Sequence, residues 1–177
     1  MRARILLTGP PGCGKTTVIR KVADILRGAA SGFYTEEVRD ANGQRTGFLA
    51  ISLDGKRGRL ARTGAGPGPR VGSYRVDVDD FERIALPSLA TTTGRVLLVD
   101  EIGKMECHSA GFIRTVGAAF DSDAAILATI PLRGGGDFIE RIRRRPDVET
   151  ILVTAANREA LPGRLARRLT DADGADG

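Results

Sequence analysis

The sequence predicts an α/β protein in which a mainly parallel sheet is covered by helices on both faces and carries an antiparallel hairpin insertion. Two observations lead to this prediction. Apolar runs of strand length alternate with stretches of helical periodicity at the start of the chain and through its second half, as in parallel sheets built through right-handed crossovers. Between these regions, alternating side chains flank Asn42-Gly43 and Asp54-Gly55, which are turn signals of antiparallel hairpins.

The first half of the chain begins with a strand and a helix. Residues 3–8 (ARILLT) form an apolar run, and residues 16–27 repeat apolar side chains at helical spacing. The pattern then predicts short strands at residues 31–39, 46–53, 59–61 and 74–78, with a loop rich in Gly and Pro over 64–72. A helix follows that carries Phe81 to Leu89, with Asp77 or Asp79 as its cap and a kink or break near Pro87.

The second half returns to alternation. It predicts strands at residues 95–100, 124–129 and 149–154, and helices at about residues 109–120, 137–144 and 158–169. A chain of 177 residues suits one substantial core, so we expect a single domain over residues 1–170. Residues 171–177 are acidic and contain glycine, which predicts a disordered tail.

Composition narrows the class of protein. Hydrophobic residues make up 41% of the chain, no apolar run is long enough for a membrane span, and the first strand begins without a signal segment. A cytoplasmic protein without a membrane partner is therefore expected. The net charge of +5 permits nucleic-acid binding, but no motif supports it, and aromatic residues for base stacking are scarce. Nothing in the sequence indicates an oligomeric state.

The most informative stretch is residues 9–17, GPPGCGKTT, which fits the phosphate-loop pattern G-x-x-x-x-G-K-[ST]. It lies between the first strand and the first helix, where backbone N–H groups and the helix N-terminus attract phosphate. Lys15 is expected to reach the β- and γ-phosphates and Thr16 to offer its hydroxyl to Mg²⁺. The predicted nucleotide-binding residues here are Gly9, Pro10, Pro11, Gly12, Cys13, Gly14, Lys15, Thr16 and Thr17.

A second motif, VLLVDE, spans residues 96–101. An apolar strand that ends in an acidic residue has the form of a Walker B strand, so Asp100 is predicted to hold Mg²⁺ together with Thr16. The acidic pair resembles ATPases in which the second carboxylate, here Glu101, polarises the attacking water. Lys15 and Glu101 are thus the predicted catalytic residues. Ile102, Gly103 and Lys104 continue the segment and complete the predicted nucleotide site.

In the ATPases that this acidic pair resembles, an extra strand lies between the phosphate-loop strand and the Walker B strand. A polar residue at its tip can sense the γ-phosphate, and Thr129 is the matching candidate. A threonine that merely caps the end of a strand is an equal alternative.

The blocks GPPGCGKTT, GFYTEEVR with a following RTGF hairpin, VDEIGKME, ATIP and RRRPDVETI with a later NREAL resemble the THEP family of small nucleoside triphosphatases over about residues 3–169. The resemblance implies a P-loop NTPase fold, Mg²⁺ dependence, and slow hydrolysis of ATP, GTP and other nucleoside triphosphates with poor base discrimination. Cys107 stands where the family has an apolar residue after KME. Independently, the segment after residues 149–154 lacks an N-K-x-D guanine motif, so we expect broad nucleotide use.

Two other functions stay open at this point. A P-loop kinase could transfer phosphate to a small molecule, a nucleotide or a nucleic-acid end, with Thr35, Glu37 and Arg39 lining one strand face of its cavity. A nucleotide-dependent regulatory module could use hydrolysis to time a conformational change. A Cys107–His108 nucleophile is disfavoured, because neighbours in sequence point different ways, and the two cysteines lack metal-site spacing.

The segment after Gly134-Gly135-Gly136 is predicted to carry a cationic side chain that neutralises charge on the transferring phosphoryl group, with the three glycines as a hinge. The candidates are Arg141, Arg143, Arg144 and Arg145, with Lys104 or Arg158 as substitutes. A solvated helix face is the competing interpretation of these four arginines.

Overall fold

The computed structural model describes residues 2–90 and 95–171, which form one mixed sheet with helices on both faces. Within these residues the strands are β1 (Arg4–Thr8), β2 (Ala30–Arg39), β3 (Arg45–Ser52), β4 (Arg57–Thr63), β5 (Arg70–Val71), β6 (Tyr74–Val76), β7 (Val96–Val99), β8 (Ala125–Thr129) and β9 (Glu149–Leu152). The helices are α1 (Lys15–Leu26), α2 (Val78–Ser88), α3 (Ala110–Asp121), α4 (Asp137–Arg143) and α5 (Leu161–Thr170), with a 3-10 turn at Glu106–His108. The strand order is β5-β6-β4-β3-β2-β7-β8-β1-β9.

The parallel half of the sheet runs β2-β7-β8-β1-β9. In its register, Val99 pairs with Ala128 and Leu7 pairs with Thr129. Strand β8 therefore lies between the phosphate-loop strand β1 and the Walker B strand β7, which confirms the predicted extra strand. Because parallel strands end at the same edge, the residues that follow β1, β7 and β8 are brought together there.

The antiparallel half extends β2 through β3, β4, β6 and β5. The turns at Asn42-Gly43 and Asp54-Gly55 join β2 to β3 and β3 to β4, as predicted. Strand β4 is longer than the predicted 59–61 because it pairs with β3 from Arg57 onward and with β6 up to Thr63. The loop rich in Gly and Pro also contributes the two-residue strand β5.

Each face of the sheet buries its own apolar cluster. Helices α1 and α5 cover one face, where Ile5, Leu7 and Val18 are buried. Helices α2, α3 and α4 cover the other face, where Phe33, Phe81 and other large side chains are buried. The Phe33 and Phe81 rings meet edge-on with centroids 5.5 Å apart, a favoured geometry for aromatic pairs. The two layers make the central strands rigid supports for the loops at their carboxyl ends.

Three of the differences from the predicted boundaries have a clear local reason. Strand β6 ends at Val76, because the Asp77 carboxylate accepts a hydrogen bond from the Asp80 N–H at 3.2 Å and caps α2. Helix α2 continues past Pro87 to Ser88 without the predicted break, since the proline lies in its last turn. Helix α5 begins at Leu161 instead of residue 158, because Asn157 bonds the backbone around it and holds residues 155–160 in turns.

The predicted tail lies outside the described residues apart from Asp171. No helix within residues 2–90 and 95–171 combines the length and the apolar character that crossing a membrane requires.

Candidate functional site

A cavity of about 740 Å³ opens at the carboxyl ends of β1 and β7. Its lining joins the phosphate loop to the Walker B segment, and it continues along β2 toward the antiparallel strands. Of the residues predicted to bind nucleotide, those that line it are Pro11, Gly12, Gly14, Lys15, Thr16, Thr17, Asp100, Glu101 and Lys104. Residues distant in sequence therefore share one volume that can take a phosphate chain.

The phosphate loop has the backbone that its glycines predict. Gly12 and Gly14 have φ angles of 75° and 107°, which side chains rarely tolerate, and Gly14 caps the N-terminus of α1. The Lys15 ammonium donates to the carbonyl oxygen of Gly9 at 3.0 Å. The loop thus curls around the amine that is expected to meet the phosphates, with the helix N-terminus pointing at the same place.

Asp100 is buried at the end of β7, and its carboxylate is surrounded by hydroxyl donors. Oδ2 accepts a hydrogen bond from Thr16 Oγ1 at 2.7 Å, and Oδ1 accepts one from Thr129 Oγ1 at 2.7 Å. Thr35 contributes its N–H and hydroxyl at 3.4 Å each. Burial raises the pKa of Asp100, while these hydrogen bonds and the Lys15 charge oppose the rise. The donors therefore keep a buried carboxyl usable as an anionic ligand.

The donor set around Asp100 fits a magnesium ion. Mg²⁺ prefers hard oxygen ligands and usually takes one or two from the protein, with phosphate and water oxygens supplying the rest. Thr16 and Asp100 offer a hydroxyl and a carboxylate oxygen 2.7 Å apart, and both line the cavity. Within the described residues no group of three or more His, Cys, Asp and Glu side chains could hold a metal ion, so such an ion would depend on the phosphates for further ligands.

Two further carboxyl groups, Glu101 and Glu106, line the cavity next to Asp100. Burial raises the pKa of Glu101, and the neighbouring Asp100 charge raises it further. Glu106 is 5% exposed, and burial together with the Glu101 charge holds its pKa well above the ordinary value. Gly103 leaves room for both groups, because a Cβ there would lie 2.7 Å from Glu101 Oε1 and from Glu106 Oε2.

Some predicted residues support the cavity without lining it. Gly9 and Pro10 present carbonyl oxygens to Lys15. The Cys13 side chain packs against the apolar cluster under α1. Ile102 departs most from its predicted place in the nucleotide site: its side chain is fully buried in the opposite cluster, and its N–H donates to the Thr129 carbonyl oxygen at 2.9 Å. The reason is that the chain folds back over β8 immediately after Glu101.

Thr129 lies one hydrogen bond behind the site. Its side chain is 0% exposed, and its hydroxyl donates a hydrogen bond to Asp100. Thr129 therefore holds the Asp100 carboxylate in position and does not itself line the cavity. The kinase-type strand face is only partly formed, because Thr35 and Glu37 line the cavity whereas Arg39 pairs with Glu37.

None of the four candidate arginines of the α4 segment is among the residues that line the cavity. Arg143 bonds Glu140 at 2.6 Å and the Pro131 carbonyl oxygen at 2.7 Å. Arg145 pairs with Asp121 and Asp147, and Arg141 lies over the Phe138 ring. These contacts favour structural and surface roles for the segment.

The cavity is also lined by Arg20 and Arg133. The sequence pattern did not identify either of these cationic side chains as part of the site. Arg133 follows β8 immediately before the glycine triplet, and it is exposed. Lys104, one of the predicted substitutes, lines the cavity as well, whereas Arg158 does not.

The sequence reasoning also missed Glu106. The available signal was its spacing, since it follows Glu101 by five positions with a glycine between them. The Cys107–His108 pair gains no support as a nucleophile, because burial and the Glu106 charge raise the pKa of the Cys107 thiol to about 12, which keeps it protonated.

Comparison with known proteins agrees with this geometry. A family model with the description NTPase matches residues 4–166. The chain is 44% identical to the human cancer-related nucleoside-triphosphatase, over 91% of this chain and 93% of that protein. It is also 44% identical to the nucleoside-triphosphatase THEP1 of Thermotoga petrophila, over 89% and 88% of the two chains.

A solved structure agrees as well. The crystal structure of THEP1 from Aquifex aeolicus superposes with a TM-score of 0.83 at 36% identity, covering 92% of this chain and 96% of that one. The P-loop NTPase fold predicted from the sequence is thereby confirmed, and the chain belongs to the THEP1 family of nucleoside-triphosphatases.

Proposed function

We propose that this protein is a Mg²⁺-dependent nucleoside triphosphatase that hydrolyses ATP, GTP and other nucleoside triphosphates to the diphosphate and phosphate, with low base specificity. One observation carries the proposal: the phosphate loop, the hydroxyl and carboxylate pair Thr16 and Asp100, and the half-buried carboxyl of Glu101 line a single cavity. The names of the relatives support the general activity. The metal, the individual nucleotides and the residue roles belong to the proposal.

Phosphate binding is assigned to the loop. Backbone N–H groups from Gly12 to Thr16 would surround the β- and γ-phosphate oxygens, and the Lys15 ammonium would leave the Gly9 carbonyl to bond them. The backbone donors would need no rearrangement and the Lys15 ammonium only a turn away from Gly9, so both would stabilise the charge that develops on the leaving diphosphate.

Mg²⁺ would be held by Thr16 and Asp100, and when bound it would neutralise negative charge on the β- and γ-phosphates. The chain's own contribution is to hold these two ligands. The Asp100 carboxylate is fixed by Thr129 on one oxygen, which leaves the other, now bonded to Thr16, directed toward the cavity. Thr35 adds weaker donors on the same side.

Water activation is assigned to Glu101. Its carboxylate would accept a proton from the water as the oxygen attacks the γ-phosphorus. Burial and the Asp100 charge raise the Glu101 pKa, which makes the Glu101 carboxylate a stronger base than that of an exposed glutamate. Above this raised pKa the carboxylate is deprotonated and can accept the proton. Hydrolysis should therefore fall as the pH drops through this raised pKa, because the protonated acid cannot accept the proton.

Low base specificity is supported at the other end of the site. The loop after β9 would have to read the base in a guanine-specific enzyme, yet its one amide side chain, Asn157, is engaged with backbone. It accepts from the Thr154 N–H at 2.9 Å and donates to the Leu152 carbonyl oxygen at 2.8 Å. Binding energy would then come mainly from the phosphates and the metal.

The experiment compares three variants in phosphate-release and nucleotide-binding assays. Lys15→Ala should lose both turnover and tight binding. Glu101→Gln should keep Mg²⁺-nucleotide binding and lower the hydrolytic rate about 10²-fold or more. Asp100→Asn, the matched amide substitution one residue earlier, should instead weaken the Mg²⁺ dependence. Full turnover in folded Lys15→Ala, or equal effects of the two amide variants on metal affinity alone, would contradict the assignment.

A further inference from the structure

Four apolar side chains form one wall of the cavity: Phe48 of β3, Leu60 of β4, Val71 of β5 and Met105 after β7. Leu60 is 1% exposed and the other three pack partly buried against the core. The Phe48 ring is held edge-on by Tyr74 with centroids 5.2 Å apart. This apolar wall is therefore a fixed part of the antiparallel half of the sheet.

The strand order puts the apolar wall beyond the γ-phosphate. Strands β3, β4 and β5 lie on the side of β7 away from β1. Asp100 and Glu101, at the end of β7, are the residues proposed to support the metal and the attack on the γ-phosphorus, so the γ-phosphate would lie beside them. The nucleoside would then extend the other way, toward β9, where a Cβ built on Gly14 would lie 3.4 Å from the Arg158 side chain. The apolar wall thus faces whatever attacks the γ-phosphorus.

Hydrolysis does not require an apolar surface at this place, because the attacking group is a water molecule. Keeping apolar surface against a water-filled cavity costs roughly 25 cal/mol per Å², whereas an apolar lining with a few polar groups at one end is typical of a site for a small organic molecule. Polar side chains line the rest of the cavity, and among them are the carboxyl groups of Glu101 and Glu106. The whole cavity, which the phosphate chain would share with such a molecule, measures about 740 Å³, within the range of roughly 300–1,000 Å³ found for small-molecule sites.

We propose that the apolar wall binds a small organic alcohol with an apolar body, and that the protein transfers the γ-phosphoryl group of the nucleotide to its hydroxyl. The inference rests on the proposed function, because it uses the same nucleotide site, metal ligands and base. The hydroxyl oxygen forms a bond to the γ-phosphorus as the bond from that phosphorus to the bridging oxygen breaks. The electron pair of the broken bond stays with the nucleoside diphosphate, and the hydroxyl proton passes to the Glu101 carboxylate. Water takes the same position when no alcohol is bound.

The test uses the full chain, Mg²⁺ and ATP labelled in the γ-phosphate. The probes are hexanol and phenylethanol, with ethylene glycol as a polar control and an oligonucleotide with a 5′-hydroxyl as a macromolecular one. Labelled organic phosphate should form from the two apolar alcohols, about tenfold or more above that from ethylene glycol, because a held acceptor gains from orientation. Label in inorganic phosphate alone, equal transfer to ethylene glycol, or transfer to the oligonucleotide alone overturns the proposal.

The two proposals fail differently in this assay. Phosphate release without any organic phosphate refutes the acceptor site and leaves the hydrolase intact. Organic phosphate without release of inorganic phosphate in the absence of alcohol refutes the hydrolase and leaves the acceptor site intact.

Variants then locate the acceptor. Val71→Ser and Phe48→Ala should each lower the ratio of organic to inorganic phosphate about tenfold, with the KM for ATP unchanged. Ile25→Ala is the matched control, since Ile25 is a half-exposed apolar side chain on α1 outside the cavity, and it should leave the ratio unchanged. A raised KM for ATP with an unchanged ratio in the two wall variants would mean that the base occupies the apolar wall, and would overturn the proposal.

Discussion

Replacing Thr129 by valine tests how the fold prepares Asp100 for the proposed magnesium ion. Valine has nearly the shape of threonine, so the substitution removes the hydroxyl that donates to Asp100 Oδ1 at 2.7 Å and leaves the packing of β8 almost unchanged. Thr129 and Asp100 are both buried, so water has little access to replace the lost donor. The carboxylate oxygen would be left without its strongest fixed partner.

The magnitude follows from that hydrogen bond. A bond to a charged group contributes about 1.5–3 kcal/mol, and every 1.4 kcal/mol is about tenfold in affinity. If Thr16 turns to the ion as proposed, Thr129 is the remaining strong donor to Asp100. We therefore expect the Mg²⁺ concentration for half-maximal hydrolysis to rise about 10- to 150-fold, which overlaps the 10- to 100-fold typical of residues that support metal ligands.

The assay is a Mg²⁺ titration of nucleotide hydrolysis by folded protein, with Thr8→Val as the matched control. The Thr8 hydroxyl at the end of neighbouring β1 donates to the neutral Pro131 carbonyl oxygen at 3.2 Å, so this control should keep the Mg²⁺ midpoint. Thr129→Ser should restore it. A midpoint within about twofold of the unmodified protein in folded Thr129→Val would refute the reasoning, and a lowered kcat at that unchanged midpoint would assign Thr129 to sensing the γ-phosphate.

Gly103→Ala should lower kcat with little change in nucleotide affinity, because its Cβ would lie 2.7 Å from both Glu101 Oε1 and Glu106 Oε2; steady-state kinetics that match the unmodified protein would contradict this. Arg133→Ala should lower kcat through loss of a cation that lines the cavity, whereas Arg141→Ala, on the same segment outside the cavity, should not; equal effects would return Arg133 to the surface. Glu106 has a raised pKa in the folded chain, so its contribution to stability is greatest below its unfolded pKa and declines as pH rises through the folded one. Glu106→Gln should therefore flatten the fall in melting temperature as the pH rises above the ordinary glutamate pKa without Mg²⁺, and an unchanged slope would show that Glu106 does not contribute to that fall.

Much of the nucleotide site is local in sequence and could be predicted from it. The phosphate loop is a single stretch whose glycines, lysine and threonine act through their own backbone and the helix that follows, so spacing alone is informative. Gly12 and Gly14 have the positive φ angles that this requires. Asp100 and Glu101 were recognisable because an apolar strand ends at them, and the strand end is where a parallel sheet presents its polar groups.

The tertiary structure decided what surrounds these motifs. Glu106 becomes a buried neighbour of Glu101 only because the chain turns at Gly103. In the segment predicted to supply a cation, arginines such as Arg143 are paired with other residues, here Glu140. No periodic pattern in the sequence predicts those partners, and none predicts that Arg133 lines the cavity.

The apolar wall shows the same division. In the sequence Phe48, Leu60 and Val71 are ordinary strand or loop residues, and their pattern indicates only that they face inward. Strand order brings them beside the Walker B carboxylates, since β2 pairs with β7 and the sheet continues through β3 and β4 on the other side of β2. Motifs that act through consecutive backbone groups can be identified from spacing, whereas a cavity wall assembled from three strands depends on long-range pairing that no local pattern encodes.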